Sequence, residues 1–331
     1  MIFVTAAIVV AAAQSPASDA QALARGRALT QLLLAGETAA LEPQLAPAFL
    51  AAMGGREGLA RFTGLITAQA GPEQEILLEA AYREAGHLSY YRVSRFEKLP
   101  DVTTRWVIGP DGQVIGMSVR PSPAPAPSEH LDYRTKAQLR LPFGRPAQEG
   151  RWHVAWGGRT PIENYHVVAP DQRFAYDFLV SRGDAIFTGT GERNADHFCW
   201  GEPVVAPAPG TIVKAIGDVP DNERPGSQRE GVTPPGNHVV IDHGAGEYSL
   251  VAHFQAGSLA VREGQQVAAG ERLGLCGNSG RSTVPHVHYH LQTGAAYGEG
   301  VGLPALFNGY SADGSAITRG EPVRGQKLLP D

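Results

Sequence analysis

The chain has 331 residues, long enough for two packed domains rather than one. Hydrophobic residues make up 43% and charged residues 18%, a globular balance that excludes a disordered or collagen-like chain. With 28 basic against 33 acidic side chains, the net charge of −5 leaves no electrostatic footprint for nucleic acid, so any partner must be argued from a site.

Residues 2–13, IFVTAAIVVAAA, form an apolar run too short to span a bilayer comfortably, and small and polar residues follow it. The pattern reads as the hydrophobic core of a secretory signal over residues 1–18, with Ala11-Ala12-Ala13 offering an A-x-A cleavage site. No basic residue precedes it, and a retained anchor is the other reading. Export to the periplasm or the medium is expected. No later segment reaches 18 uninterrupted apolar residues, so no stable membrane insertion is expected.

From Asp19 to Gly71 the apolar positions repeat at three and four, in a run from Leu23 to Ala35, a second from Leu41 to Met53 and a third from Arg56 to Gln69. Between Ile76 and Val119 the period changes to two, with Gly109-Pro110-Asp111-Gly112 as a hairpin turn. Helices followed by an antiparallel meander predict a small α+β module over residues 19–120. Its pattern resembles the cone-shaped α+β domains that precede hydrolase domains in secreted bacterial proteins. No catalytic constellation is visible in it; His87 reads as a surface or core-edge residue, and Tyr90 and Tyr91 read as packing.

The Pro/Ala run PSPAPAPS marks a boundary, and residues 121–136 are expected to form an extended linker because such a stretch has too little side-chain surface for a core. Beyond it, a mainly-β domain is expected over residues 137–331. AQLRLPF and GRWHVAWGG read as two strands, with Trp152 and Trp156 as packing residues. Short β elements punctuated by glycine then run to Leu275. Residues 218–236 form a polar loop long enough to border a binding site. Cys199 and Cys276 suit either one disulfide or two buried thiols. The tail from Gly302 to Asp331 has few apolar anchors and is expected to wrap the surface.

The informative stretch is Gly274 to Gln292, GLCGNSGRSTVPHVHYHLQ. Alternation along a strand sends His286, His288 and His290 to one face, which reads as the floor of a metal site. Upstream, His166 and Asp177 are ligand types in aromatic, strand-prone surroundings, and Ala169-Pro170-Asp171 between them reads as a turn that could bring the two together. Asp177 lies between apolar neighbours in AYDFLV, where a charge needs a partner.

From about residue 150 to 300, the ordered set EPVVAPAPGTIV, GNHVVIDHG, YSLVAHF, VREGQQVAAGERLGLCGNSGRST and PHVHYHL resembles the lysostaphin-type zinc metallopeptidases, which are peptidoglycan endopeptidases. The resemblance implies an antiparallel β sandwich, Zn2+ as the cofactor, Asp177 and His288 as metal ligands, and His286 and His253 as catalytic residues. One position departs from the pattern. The family writes H-x-x-x-D at its first ligand, and four residues before Asp177 this chain has Arg173, which cannot bind a cation. His166 is the available substitute; His197 is a weaker candidate, His243 reads as a turn residue, and His238 and His290 as supporting residues.

Two neutral imidazoles, a carboxylate and an open position are the composition of a catalytic zinc site, and imidazoles beside it suit proton transfer. The expected function is an exported zinc endopeptidase acting on peptidoglycan cross-link peptides. The competing expectation, carried by Arg173 alone, is an inactive homologue that binds the wall or regulates another hydrolase. A protease acting on substrates other than the wall is a third.

Overall fold

The computed structural model describes residues 20–331, apart from 85 and 148; the apolar run at the start of the chain lies outside the described residues. Among the described residues, no helix is long and apolar enough to cross a membrane.

The N-terminal part opens with α1 (Ala20–Leu34), α2 (Thr38–Leu41), α3 (Pro47–Ala52) and α4 (Gly55–Ala70). In α1 the buried positions Ala22, Gly26, Leu29, Thr30 and Leu33 fall at the helical spacing and form one stripe. Gly26 is required by close approach, since a Cβ there would lie 2.1 Å from the Tyr90 ring. The chain then forms a meander, β1 (Glu73–Glu84), β2 (His87–Phe96), β3 (Val102–Ile108) and β4 (Val114–Pro121), paired in that order and antiparallel. One face of this sheet packs Tyr90, Trp106, Ile108 and Val114 against Leu29, Leu33 and Leu59 of the helices. The buried Trp106 indole donates to Thr30 Oγ1 at 2.9 Å, satisfying its one polar atom.

The other face carries Ala80, Tyr82, Tyr91 and Val93, which pack on Ile162 of the C-terminal part. Arg324 is the joint. Its guanidinium lies 3.9 Å from the Trp156 ring centre, 4.3 Å from that of Tyr82 and 4.9 Å from that of Tyr91, and it donates to the Ile162 carbonyl at 2.5 Å. Residues 122–136 contain no helix or strand but are pinned: Ala126 donates to the Val167 carbonyl at 2.6 Å and Thr135 Oγ1 to the Pro304 carbonyl at 2.6 Å.

The C-terminal part is mainly β: β5 (Arg151–Trp156), β6 (Tyr176–Ser181), β7 (Pro203–Val205), β8 (Gly210–Ile216), β9 (His238–Asp242), β10 (Tyr248–Ala252), β11 (Gln266–Val267), β12 (Arg272–Leu275), β13 (Val287–Gln292), β14 (Gly302–Leu303), β15 (Phe307–Ala312), β16 (Ser315–Gly320) and β17 (Lys327–Pro330). Among the described residues, eleven of these join in one antiparallel sheet in the order β11-β8-β9-β10-β13-β6-β5-β17-β15-β16, with β14 beside β13, while β12 and β7 form a separate ladder. One core takes Val204 and Leu273 from the ladder together with Trp152, Phe178, Ile241, Val251 and Tyr289 from the sheet.

Two expectations are corrected here. AQLRLPF does not form a strand; it contributes the isolated bridges of Leu139 with Phe307 and Phe143 with Val204. The tail does not wrap the surface: β15 and β17 extend the sheet and bury Phe307, Tyr310 and Leu328 in its core. Cys199 and Cys276, both buried, form a disulfide.

Candidate metal centre

The centre lies on the face of the sheet away from that core. In β6 the residues Tyr176, Phe178 and Val180 enter the core, so the two-residue period turns Asp177 to the opposite side. In β13 Val287, Tyr289 and Leu291 enter the core, and His288, His290 and Gln292 share the side of Asp177. The two strands are adjacent, and their register sets His288 directly opposite Asp177. His288 Nδ1 lies 2.9 Å from Asp177 Oδ1.

His166 arrives from a 3-10 turn, Tyr165–Val168, rather than from a strand. Asn164 caps this turn, its Oδ1 accepting from the His166 backbone N–H at 3.1 Å and from the ring Nδ1 at 2.8 Å. The Asn164 amide nitrogen is occupied with the carbonyls of Gly158 at 3.1 Å and Ala175 at 2.9 Å. That fixes the amide, makes Nδ1 the protonated nitrogen of His166, and leaves a lone pair on Nε2, 3.6 Å from Asp177 Oδ2. One ligand atom from each of His166, Asp177 and His288 lies within 4.8 Å of the others, and all three residues are buried.

His253 comes directly after β10, where continued alternation would send it toward the core, since Val251 faces that way. A left-handed backbone, φ 67°, breaks the alternation and brings its ring centre to 4.6 Å from that of His286. Such a conformation costs a non-glycine residue on the order of 1–3 kcal/mol, and the surrounding contacts hold it. The ring Nδ1 donates to the Ser279 carbonyl at 2.7 Å. His286 stands just before β13, its Nδ1 donating to the Val284 carbonyl at 2.8 Å, with Nε2 3.5 Å from Asp177 Oδ1. Both histidines therefore present an unprotonated Nε2 to the cluster when neutral.

Burial opposes the charge on Asp177, but His166 and His286 together with the hydrogen bonds of His286 and His288 outweigh it and hold the carboxyl well below its ordinary range. Burial pushes His166 down to about 3, against the attraction of Asp177. Burial and the neighbouring His286 and His288 likewise depress His253. His286 goes the other way: burial lowers it, yet the Asp177 charge prevails and its pKa is raised. Two imidazoles, from His166 and His288, and the ionised Asp177 carboxylate form a donor set that fits a borderline-soft divalent cation such as zinc.

The cluster floors a cleft. Val168, Gln172, Pro235 and Tyr297 line one end, and Trp156, Leu179, Gln228 and Val284 the other, with Tyr165 and Arg281 bordering both. Pro235 and Gln228 belong to the polar loop 218–236, whose end is held where Gly236 and Gly280 approach so closely that a Cβ on either would lie about 2.5 Å from the other's backbone.

The remaining histidines stand elsewhere. His243 ties the Pro209 carbonyl to Ser249, each at 2.8 Å; His197 contacts the Gly191 carbonyl at 3.2 Å; His238 Nδ1 lies 2.8 Å from the Gly236 carbonyl. Arg173 points away from the cluster, donating to the carbonyls of Ala126 at 3.1 Å and Arg159 at 3.2 Å. Three residues that the sequence pattern does not single out also serve the centre: Tyr165, whose hydroxyl donates to Asp177 Oδ2 at 3.2 Å, and the carboxamides of Asn164 and Gln292. Gln292 was visible in the alternation of HVHYHLQ; Asn164 and Tyr165 sit in a turn without periodicity.

Residues 195–299 match the model of peptidase family M23. That match supports a lysostaphin-type metallopeptidase domain in the C-terminal part. His253, His286 and His288 fall inside the matched stretch of this M23 domain, and His166 and Asp177 precede it. The chain is 46% identical over 56 residues to the peptidoglycan DD-endopeptidase ShyA of Vibrio cholerae, covering 17% of this chain and 13% of that protein. It is 38% identical over 114 residues to an uncharacterized metalloprotease of Haemophilus influenzae, covering 34% of this chain and 21% of the relative. With the cell division protein DipM of Caulobacter vibrioides it shares 29% identity over 154 residues, 44% of this chain and 22% of that one. The chain thus spans less than a quarter of the length of each of these relatives.

Proposed function

We propose that the protein is an exported zinc-dependent endopeptidase that hydrolyses peptide bonds in peptidoglycan cross-links. The observation that carries this reading is the convergence of one ligand atom from each of His166, Asp177 and His288 within 4.8 Å of one another on the floor of an open cleft. The relative named as a peptidoglycan DD-endopeptidase suggests the substrate class. The eleven-strand sheet and the β7–β12 ladder, which share one core, are read as the two layers of the sandwich.

His166, Asp177 and His288 would hold the zinc ion. When bound, zinc supplies a Lewis acid that polarises a carbonyl and lowers the pKa of a coordinated water. The protein's own part is positioning and proton transfer. Asp177, kept ionised, balances the positive charge of the site and aligns His286. His253 and His286 turn Nε2 toward the cluster with Nδ1 tied to backbone, so each can take a proton there and deliver it to the leaving amine. The cleft running past Tyr165 and Arg281 on both sides accommodates an extended peptide.

Arg173 was the sole sequence feature favouring an inactive homologue, and a complete donor set including His166 offsets it. Incubation of purified sacculi and, separately, an unstructured protein with the zinc-loaded enzyme tests the proposal. Release of cross-link peptides from sacculi supports it; cleavage of the unstructured protein alone removes the wall assignment, and cleavage of neither removes the enzyme.

A further inference from the structure

Behind His288, on the side away from Asp177, runs a line of buried hydrogen bonds that the proposed mechanism does not use. His288 Nε2 lies 2.9 Å from His290 Nδ1, and His290 Nε2 lies 2.9 Å from Gln292 Oε1. His290 and Gln292 are fully buried. The Gln292 amide nitrogen sits 2.9 Å from the Gly294 carbonyl and 2.8 Å from the Ala296 carbonyl. Both of those partners only accept, so the NH2 group must face them and Oε1 must face His290. An amide oxygen cannot donate, so His290 carries its proton on Nε2 and its Nδ1 becomes an acceptor. His288 must then donate through Nε2–H. The direction of every bond follows from two backbone carbonyls.

This matters because Asp177 pulls the other way. In the metal-free protein a neutral His288 could instead place its proton on Nδ1, donating to Asp177 Oδ1 at 2.9 Å. That tautomer blocks the nitrogen needed for a cation. We propose that Gln292, acting through His290, is a positioning residue that selects the Nε2–H tautomer of His288 and so keeps Nδ1 available to zinc. The inference rests on the assignment of His288 as a ligand. The opposite ligand has the same device in shorter form, since Asn164, its NH2 spent on two carbonyls, directs Oδ1 at His166 Nδ1. In each case a buried carboxamide with both donors committed to backbone sets where a ligand imidazole keeps its lone pair.

The test compares the full chain with Gln292→Met, which keeps the length of the side chain and loses the amide oxygen that accepts from His290. Proton positions are read in the metal-free proteins by long-range 1H–15N correlation of labelled histidines, and zinc affinity by competition with a chelator. The native protein is expected to show His288 and His290 both protonated at Nε2. Gln292→Met is expected to shift His288 toward the Nδ1–H form and weaken zinc binding by roughly 10- to 100-fold. A native His288 without a proton on Nε2, or a Gln292→Met protein with unchanged tautomers and affinity, overturns the inference. Because the tautomer is read without metal or substrate, a native protein that binds no zinc removes the functional reading separately.

Discussion

Asp177 and His288 are register partners on adjacent antiparallel strands, and their side chains meet at 2.9 Å on the face of the sheet opposite its core. Residues 111 positions apart are thereby set by sheet pairing rather than by loops. A site on strands is held more rigidly than one on loops; Asp177 and His288 stand on strands, whereas His166 comes from a 3-10 turn and His253 from a left-handed residue after β10.

Replacing either partner should therefore remove metal binding rather than reshape it. Asp177→Asn and His288→Ala are each expected to weaken zinc by more than the roughly 10- to 100-fold that an outer partner contributes. Competition with a chromophoric chelator measures this, and near-native affinity in either variant contradicts the ligand assignment.

His253 should separate chemistry from binding. His253→Ala is expected to leave zinc affinity within a few-fold of native while hydrolysis falls by roughly 10²- to 10⁴-fold, the range of a lost acid–base group. Parallel chelator titration and cross-link release check the two halves, and loss of zinc together with activity would reassign His253 as a ligand.

The Cys199–Cys276 bridge closes a segment of 77 residues that contains β7 to β12. A Cys199→Ser, Cys276→Ser double variant is expected to lose about 2–4 kcal/mol of stability through the freer unfolded chain. Urea unfolding with and without reductant measures it; identical midpoints for oxidised, reduced and variant protein contradict it.

Arg324 holds the two parts of the molecule together through three aromatic rings and the Ile162 carbonyl. Arg324→Ala is expected to destabilise the protein by roughly 2–4 kcal/mol, combining lost stacking with a lost charged hydrogen bond in a buried setting. Hydrogen exchange should show faster opening of β2 and of the segment around Ile162, and unaltered exchange at both sinks the prediction.

Glu79 governs part of the acid response of the N-terminal part. Burial raises its pKa, but Arg27, Tyr90 and Arg92 outweigh this and lower it below its ordinary 4.5. The folded state then binds fewer protons than the unfolded one, so the stabilisation is present above pH 4.5 and is lost as pH falls through the lowered value. Glu79→Gln should flatten stability against pH in that acid window, and an unchanged slope contradicts the assignment.

Much of this was legible in the sequence wherever one period held. The helical stripe of α1, the meander β1–β4 and the alternation of β6 and β13 follow from patterns of four or more residues. The tail was not legible because Gly309, at φ 61°, interrupts the alternation between Phe307 and Tyr310, two core residues three apart. His166 and Asn164 lie in a capped 3-10 turn, whose geometry depends on Gly158 and Ala175, partners no local pattern names. His253 reaches the cluster only through a backbone conformation that its sequence neighbours do not demand.

The most direct measurement is metal content per chain in the native protein and in the His166→Ala variant after identical zinc loading and dialysis. Near-equimolar zinc is expected in the native protein, and its loss, together with that of sacculus hydrolysis, in the variant. Zinc retained at the native level without His166, or a native protein that takes up none, would contradict this.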